Sequence, residues 1–413
     1  MIFNAKLEFI PDDWQLINGS KVLVLYSGMR PLKYVTDNPS DIPSLGGENI
    51  DQSGTLKFKN IRYISRAYYQ KMKDGKIEAQ DILINKDGAN TGKIAYVSQK
   101  PFEDCAVNEH VFIIRNTGEF KQQFLFYFLF SNYGNNQITR KIVGSAQGGI
   151  NNSFIKGLWI PKPPKLEQKA IATILSKVDE AIDTVKQSIN ATKNLKKAMI
   201  QNLLTGKLKP DGTWRTEEEF YIHEKFGRIP NGWKCTRFKD VSVLQRGKDL
   251  TDNNVKKGIY PVVKSNGVQI YHNEYFIEPP GIVTGRSGTI GKVFYIDEKF
   301  WAHNTTLYIK DFKNNFPKYI YYLIKRMDFR QYYAGTTVPT LNRNDIHKLK
   351  VTVPNSFDEQ KTIVDVLELY ETILNKKIKK IKSLEQLKKS LMQNLLTGKT
   401  RLSNEAIEKI NQN

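Results

Sequence analysis

A chain of 413 residues, 40% of them hydrophobic, has the length for two to three domains with their own cores, which excludes a single small domain. Lys and Arg number 63 against 42 Asp and Glu, a formal net charge of +21, spread as +5, +5, +8 and +3 over residues 1–164, 165–209, 210–353 and 354–413. Charge distributed in that way suits a long polyanion lying along an extended surface and argues against a basic tail or a localisation signal.

The predicted elements begin with short strands rich in β-branched and aromatic residues, DILIN (81–85), KIAYV (93–97) and HVFIIR (110–115), followed by one helix near FKQQFLFYFLFSN (120–132). After Pro163-Pro164, an apolar stripe at Ile171, Ile174, Val178, Ile182, Val185, Ile189, Leu195, Met199 and Leu203 predicts a long helix. A second globule follows, with strands GIVTG (281–285), KVFYI (292–296) and TLYIK (306–310) and one helix near FPKYIYYLIKRM (316–327). Ser356 and Glu359 have capping-box spacing at the start of a second long helix, whose stripe is Ile363, Leu367, Tyr370, Leu374, Ile378, Ile381, Leu384, Leu387, Leu391 and Leu395. Thr-Gly-Lys ends both helices, with Gly206 and Gly398 suited to the left-handed residue of a helix stop.

The chain is an internal duplication. QNLLTGK occurs at 201–207 and at 393–399, a shift of 192 that also pairs Glu167-Gln168-Lys169 with Glu359-Gln360-Lys361. IPDDW (10–14) answers IPNGW (229–233), and TGKIAYV (91–97) answers IGKVFYI (290–296). A shift of 196 pairs Ala106 and Asn108 with Ala302 and Asn304, and Phe120–Leu129 with Phe316–Lys325. The order is globule, helix, globule, helix, with boundaries at 1–164, 165–209, 210–353 and 354–413. Helices of about forty residues are roughly 60 Å long, and a narrow apolar stripe on such a rod needs a partner helix. Antiparallel pairing with approximate two-fold symmetry is expected, Ile171, Val178, Val185 and Leu195 packing with Leu367, Leu374, Ile381 and Leu391. The expected fold is α+β: two mainly-β globules separated by two long helices that pair as an antiparallel coiled coil.

Motifs for chemistry are missing. KDGANTGKIA is one residue short of a phosphate loop, and Ile94 stands where the magnesium-binding hydroxyl belongs. His110, His223, His272, His303 and His347 lack paired-ligand spacing, and Cys105 and Cys235 form neither a disulfide framework nor a paired-cysteine zinc site. E-Q-K at both helix starts resembles the carboxylate and lysine of a metal-dependent nuclease, but helix-start electrostatics explain these glutamates better. No Asn/Asp-Pro-Pro-aromatic tetrapeptide of the kind that methylates exocyclic amines is present, nor a serine nucleophile motif. The apolar run Phe124–Phe130 is too short to cross a bilayer and the N-terminus lacks a secretory pattern, so a cytoplasmic protein that meets no membrane is expected.

Turns rich in Lys, Arg, Asn, Gln, Ser and Thr recur at matched places in both globules, and these side chains suit phosphates and base edges. The candidate DNA contacts are Arg30, Lys86, Asn90, Thr91, Lys93, Asn108, Gln147 and Asn151 in the first globule. In the second they are Arg246, Lys248, Lys264, Asn266, Arg286, Ser287, Thr289, Asn304, Thr337, Asn342 and Arg343. Base readout is expected from Arg30, Asn90, Gln147, Arg246, Asn266, Arg286 and Arg343, and phosphate contact mainly from the lysines.

Taken together, IPDDW and IPNGW, DILINKDGANTGKIAYV and GIVTGRSGTIGKVFYI, GSAQGGINNSFIKGLWIPKPP and GTTVPTLNRNDIHKLKVTVP, and EQK through QNLLTGK cover essentially the whole length. In these the chain resembles the specificity subunit of a Type I restriction-modification enzyme. The resemblance implies two target recognition domains, each reading one half of a split target in double-stranded DNA. It implies helices that set the spacing and dock two methylation subunits, with ATP-dependent motor-nuclease subunits joining for restriction. S-adenosylmethionine, ATP and magnesium would then sit on those partners, and this chain would bind no cofactor and catalyse nothing itself. The competing readings are a coiled-coil adaptor without DNA specificity, whose DNA binding would barely respond to salt, and an enzyme that turns over without partners.

Overall fold

The computed structural model describes residues 10–30, 35–36, 38–142, 148–329 and 340–412. The chain forms two compact units, residues 1–185 with 380–413, and residues 186–379. Each contains one globule and a stretch of both long helices.

In the first unit the strands Leu23–Ser27, Val111–Asn116, Ile82–Asn85 and Ile94–Tyr96 form an antiparallel sheet in that spatial order. All four residues of Ile82–Asn85 are buried, as expected of a strand covered on both faces. Alternation along it feeds two cores: Ile82 and Ile84 join Phe124 and Phe128 of the helix Gln122–Phe130, whereas Leu83 joins Leu45, Ile50 and Ile77. A second sheet has the order Val35–Thr36, Arg62–Ile64, Ile42–Leu45, Ala106–Val107, its last pair parallel. The strand Gln15–Asn18, just after IPDDW, pairs with Trp159–Lys162, which leads into the long helix.

The second unit repeats this plan. Val243–Arg246, Thr306–Asp311, Gly281–Gly285 and Val293–Ile296 form the antiparallel sheet, with Ile282 and Val283 again facing different cores. Gly267–His272, Tyr260–Lys264 and Trp301–Ala302 form the smaller sheet, its last pair parallel. Trp233–Arg237 pairs with Lys350–Pro354, and a hairpin of Phe220–His223 and Gly227–Pro230 precedes it.

The strands and main helices fall where the sequence places them, with two corrections. The parallel pairs Leu45↔Val107 and Val263↔Ala302, and the bonds Asn108 N to Leu45 O and His303 N to Val263 O, align Asn108 with His303. The register between globules is therefore 195 here, and the sequence match of Ala106 and Asn108 with Ala302 and Asn304 is one residue out. Short coincidences of Ala and Asn carry no burial pattern that fixes a gap. One helix per globule is also too few: Arg66–Lys71 and Asn132–Thr139 are helical in the first globule, Phe238–Val241 and Arg343–Lys348 in the second, and Asn404–Gln412 near the C-terminal end.

The long helices are Lys165–Leu203 and Phe357–Leu395, 39 residues each. In the first unit Ile171, Leu175, Ile182 and Val185 are buried, as are Met392 and Leu395; in the second, Ile189, Thr192 and Leu203 are buried, as are Ile363 and Leu367. The start of one helix shares its core with the end of the other in both units, so the pairing is antiparallel. The seam positions step by fours and threes, through 171, 175, 178, 182, 185, 189, 192, 196, 199 and 203 in one helix and the same positions shifted by 192 in the other.

Leu195, expected on this seam, is 48% exposed and Leu387 is 47% exposed, and the seam is taken instead by Lys196 and Lys388. Both lysine side chains are only 12% exposed; Lys388 Nζ pairs with Asp179 at 2.6 Å in the first unit, and Lys196 pairs with Glu371 in the second. A lysine lays its methylene stem along an apolar seam while its ammonium finds a carboxylate, so choosing the nearest leucine moves the stripe by one residue. Asp179 also accepts from Tyr127 Oη at 2.8 Å. Asp179→Ala should therefore leave an ammonium and a phenol without their acceptor and destabilise the first unit by about 2 kcal/mol in urea unfolding, with Glu371→Ala acting on the second.

Candidate nucleic-acid interface

In the second unit the predicted contact residues gather at one end of the larger sheet. Arg246 ends its strand opposite Leu307, and its Nε donates to Asn304 O at 3.3 Å. Arg286 follows the neighbouring strand; its N–H donates to Thr305 O at 2.8 Å and its carbonyl accepts from Leu341 N at 2.7 Å. Ser287 bridges Thr340, and Asn342 and Arg343 follow, exposed, where Asn342 caps the helix Arg343–Lys348. Lys248 N donates to Ala302 O at 2.9 Å while its ammonium lies 4.4 Å from the centre of the Phe276 ring. This close approach requires Gly247, because any side chain there would collide with the carbonyls of Ala302 and His303. His303 N donates to Val263 O at 3.0 Å, which ties the hairpin turn of Lys264 and exposed Asn266 to the same rim. Lys264 lies 3.9 Å from Asp252. Burial, together with the charge of Lys264, pushes the His303 imidazole below its ordinary value, so it meets neutral pH uncharged. Thr289 is half-buried in the turn after Arg286, and Thr337 lies outside the described residues.

The first unit builds the same rim with other side chains. Lys86 N donates to His110 O at 2.9 Å, and Lys86 O accepts from Ile150 N at 2.7 Å. Gly28 packs against the Val107 carbonyl as Gly247 does against Ala302. Lys86 Nζ reaches Ser27 Oγ at 3.4 Å, His110 Nδ1 lies 2.7 Å from Asp87, and Glu109 is 3.4 Å from His110 Nε2 and 3.7 Å from Arg30 Nε. On the KDGANTGK loop, Lys93 Nζ donates to Asn90 Oδ1 at 2.5 Å, and Thr91 Oγ1 sits 2.6 Å from Gly88 O and 2.7 Å from Gly148 O. The loop thus uses its ammonium and hydroxyl internally and does not form a phosphate cradle. Asn108 is buried and accepts from His110 N at 3.0 Å, so it shapes the rim. Asn151 is exposed and caps the turn Asn152–Gly157; Gln147 lies outside the described residues. The residues Asp87, Glu109, His110 and His303 belong to these rims without having been singled out as contacts in the sequence; each lies within one of the polar turns that recur in the globules, and that membership is the signal that marks them.

Among the described residues no group of His, Cys, Asp or Glu is placed to hold a metal ion, and no helix is long and apolar enough to cross a membrane. The profile of the Type I restriction modification DNA specificity domain matches residues 11–194 and again residues 230–386. The chain belongs to that family.

Both matches open on the proline of the IP-x-x-W motif and run into a long helix. Over 96% of its length this specificity-domain chain is 24% identical to the Type I restriction enzyme MjaVIII specificity subunit of Methanocaldococcus jannaschii, covering 95% of that protein. It is 25% identical to the Type I restriction enzyme EcoKI specificity subunit of Escherichia coli over 64% of this chain and 55% of that one. Its fold matches the crystal structure of the Type-I restriction-modification system S subunit from M. genitalium with a TM-score of 0.57 at 17% identity, over 98% of this chain and 99% of the other. A structure described as underlying complex assembly and conformational transition of the type I R-M system matches with a TM-score of 0.58 at 14% identity, over 94% and 98% of the two chains.

In each specificity domain the globule is joined to the helix start through a carboxylate, buried in the first unit and partly buried in the second. Glu167, 2% exposed, accepts from Trp14 Nε1 at 3.2 Å and from Arg401 Nε at 2.8 Å, and Arg401 also pairs with Asp13 at 2.6 Å. The hydrogen bonds that it donates to the Asp13 and Glu167 carboxylates push the Arg401 guanidinium above its usual value. In the second unit Glu359 accepts from Trp233 Nε1 at 3.0 Å and Arg215 at 2.6 Å. The neighbouring glutamines act in parallel: Gln168 accepts from Lys121 N at 2.7 Å, and Gln360 from Phe316 N at 2.8 Å. The E-Q-K glutamates are thus tertiary joints and not merely helix-start charges. Ser356 Oγ does accept from Glu359 N at 3.2 Å, but the Glu359 carboxylate goes to Arg215 and Trp233 and does not return to complete the capping box. Arg401→Ala should destabilise the first unit by about 3 kcal/mol by stranding a buried carboxylate, with hydrogen exchange rising in residues 10–18 and 165–175 and little changed in the second unit.

Proposed function

We propose that this chain is the DNA-reading, non-catalytic subunit of a Type I restriction-modification complex, with each globule taking one half of a bipartite duplex target. The observation that carries the reading is the pair of equivalent rims, each at the same end of the same sheet in its own copy of a DNA specificity domain. Arg30, Asn90, Arg246, Asn266, Arg286 and Arg343 are the side chains proposed for base edges, and Lys86, Lys248 and Lys264 for phosphates. The recognition regions are residues 1–164 and 210–353; the intervening and C-terminal helices set the separation of the half-sites. S-adenosylmethionine, ATP and magnesium then belong to methylation and restriction subunits. Sequencing methylated adenine in host DNA with and without this gene tests the reading. Loss of one bipartite motif on deletion is expected; an unchanged methylation map, with the partner subunits expressed, overturns it.

The helices are proposed to dock two methylation subunits. Leu195 and Leu387, related by the 192-residue shift, are exposed apolar side chains at equivalent points beside the seam, and they support two equivalent docking surfaces. Leu195→Glu and Leu387→Glu should each remove about one methylation subunit per chain, read as the mass of the purified complex, and the double substitution both.

A further inference from the structure

Backbone bonds fix which residues of the two rims are equivalent. Lys86 and Arg286 each donate to the turn before the next strand, to His110 O and Thr305 O, and each accepts from the loop beyond, from Ile150 N and Leu341 N. Asp87 therefore corresponds to Ser287, Glu109 to Asn304, and Ser27, opposite Phe112, to Arg246, opposite Leu307. In the first rim the carboxylates have partners on the rim itself: His110 lies between Asp87 and Glu109, and Glu109 also faces Arg30, while Lys86 Nζ reaches the Ser27 hydroxyl. In the second rim both carboxylates are replaced by Ser287 and Asn304, and a serine by Arg246, while the carboxylate of Asp249 accepts from Asn304. Among the described residues neither Arg246 nor Arg286 forms an ion pair. Arg246 Nε and Arg286 N both bond to the turn Asn304-Thr305, and burial, together with the charge of Arg246, pushes the half-buried Arg286 guanidinium below its usual value.

Two neighbouring guanidiniums repel one another until an acceptor-rich group lies against them. Arg286 is held at both its backbone N–H and its carbonyl, and Arg246 is held through Nε, which leaves its terminal amino groups to project. Planar guanidinium forks match paired acceptors, whereas the surrounding Lys248 and Lys264 suit phosphates as point charges. We infer that Arg246 and Arg286 form a site for the O6/N7 edge of guanine in the half-target taken by the second unit, and that the equivalent place in the first unit makes no such contact. This rests on the DNA-reading function proposed above.

The test is selection of bound sequences from a random duplex library by the full chain, purified with the methylation subunits that accompany it in its host. A bipartite motif with a fixed guanine in one half is expected. Arg286→Ala or Arg246→Ala should lower affinity for that motif about ten- to a hundredfold and flatten that one position, leaving the other half intact. Arg286→Lys, which keeps the charge and tests for misfolding, should flatten the position while retaining binding to unrelated DNA. Replacing that guanine by 7-deazaguanine should weaken the unaltered protein and add nothing to Arg286→Ala. The assignment is overturned if the position flattened by Arg286→Ala is not guanine. It is equally overturned if the substitution weakens all sequences alike and 7-deazaguanine has no effect, which marks a phosphate contact. A library that yields a motif overturned in this way leaves the DNA-reading function standing, whereas one that yields no motif removes both.

Discussion

A carboxylate at the start of each long helix, buried at Glu167 and partly buried at Glu359, holds that helix to its globule. Glu167 and Glu359 each receive an indole N–H and a guanidinium, and the glutamine beside each receives a backbone N–H from the residue preceding the globule's main helix. A carboxylate withdrawn from water, wholly at Glu167 and in part at Glu359, is stabilised by such partners, so the tryptophan of IP-x-x-W, the arginine after TGK and the E-Q pair are constrained together. Gly398 and Gly206 complete the fit: each has a positive φ, and a side chain there would strike Pro11 or Pro230. The way each globule meets its helix is therefore set by a few residues around the helix start.

The seam between the helices obeys a related constraint. Apolar positions alone make antiparallel pairing favourable but leave neighbouring registers close in energy, whereas a lysine on the seam accepts only the register that brings it a carboxylate. Lys388 with Asp179 and Lys196 with Glu371 meet that requirement once in each unit, at positions related by the duplication. Lys377, also on the seam, donates instead to a hydroxyl, Thr192 Oγ1, at 2.7 Å. Both copies thus use the same device to select a single register.

Much of this architecture is legible in the sequence because it follows from periodicity and repetition. The strands at DILIN and GIVTG, the two 39-residue helices and the duplication all leave local patterns. What is not legible depends on contacts between distant residues. Leucine at 195 and 387 outscores lysine at 196 and 388 on any apolar scale, and only the facing carboxylates show which lies on the seam. The matched turns identify the rims as groups, but not that Asn108 faces inward, that Lys93 is occupied by Asn90, or that the first rim neutralises itself while the second does not. That contrast depends on which side chains the strand ends bring into contact.

The joint at Glu167 also fixes an order of events during synthesis. Its guanidinium comes from Arg401, and the core around Trp14 includes Met392, Leu395 and Leu396, so the first unit draws on residues separated by nearly the whole chain. The second unit is one continuous stretch, residues 186–379, and has all its parts before residue 380 is added. Domains usually fold from the N-terminus onward as the chain emerges. Here the globule translated first waits with an open helix face, its Glu167 carboxylate without the Arg401 guanidinium, until the second globule has been made, and a ribosome that stops early releases a protein whose C-terminal globule is complete and whose N-terminal globule is not.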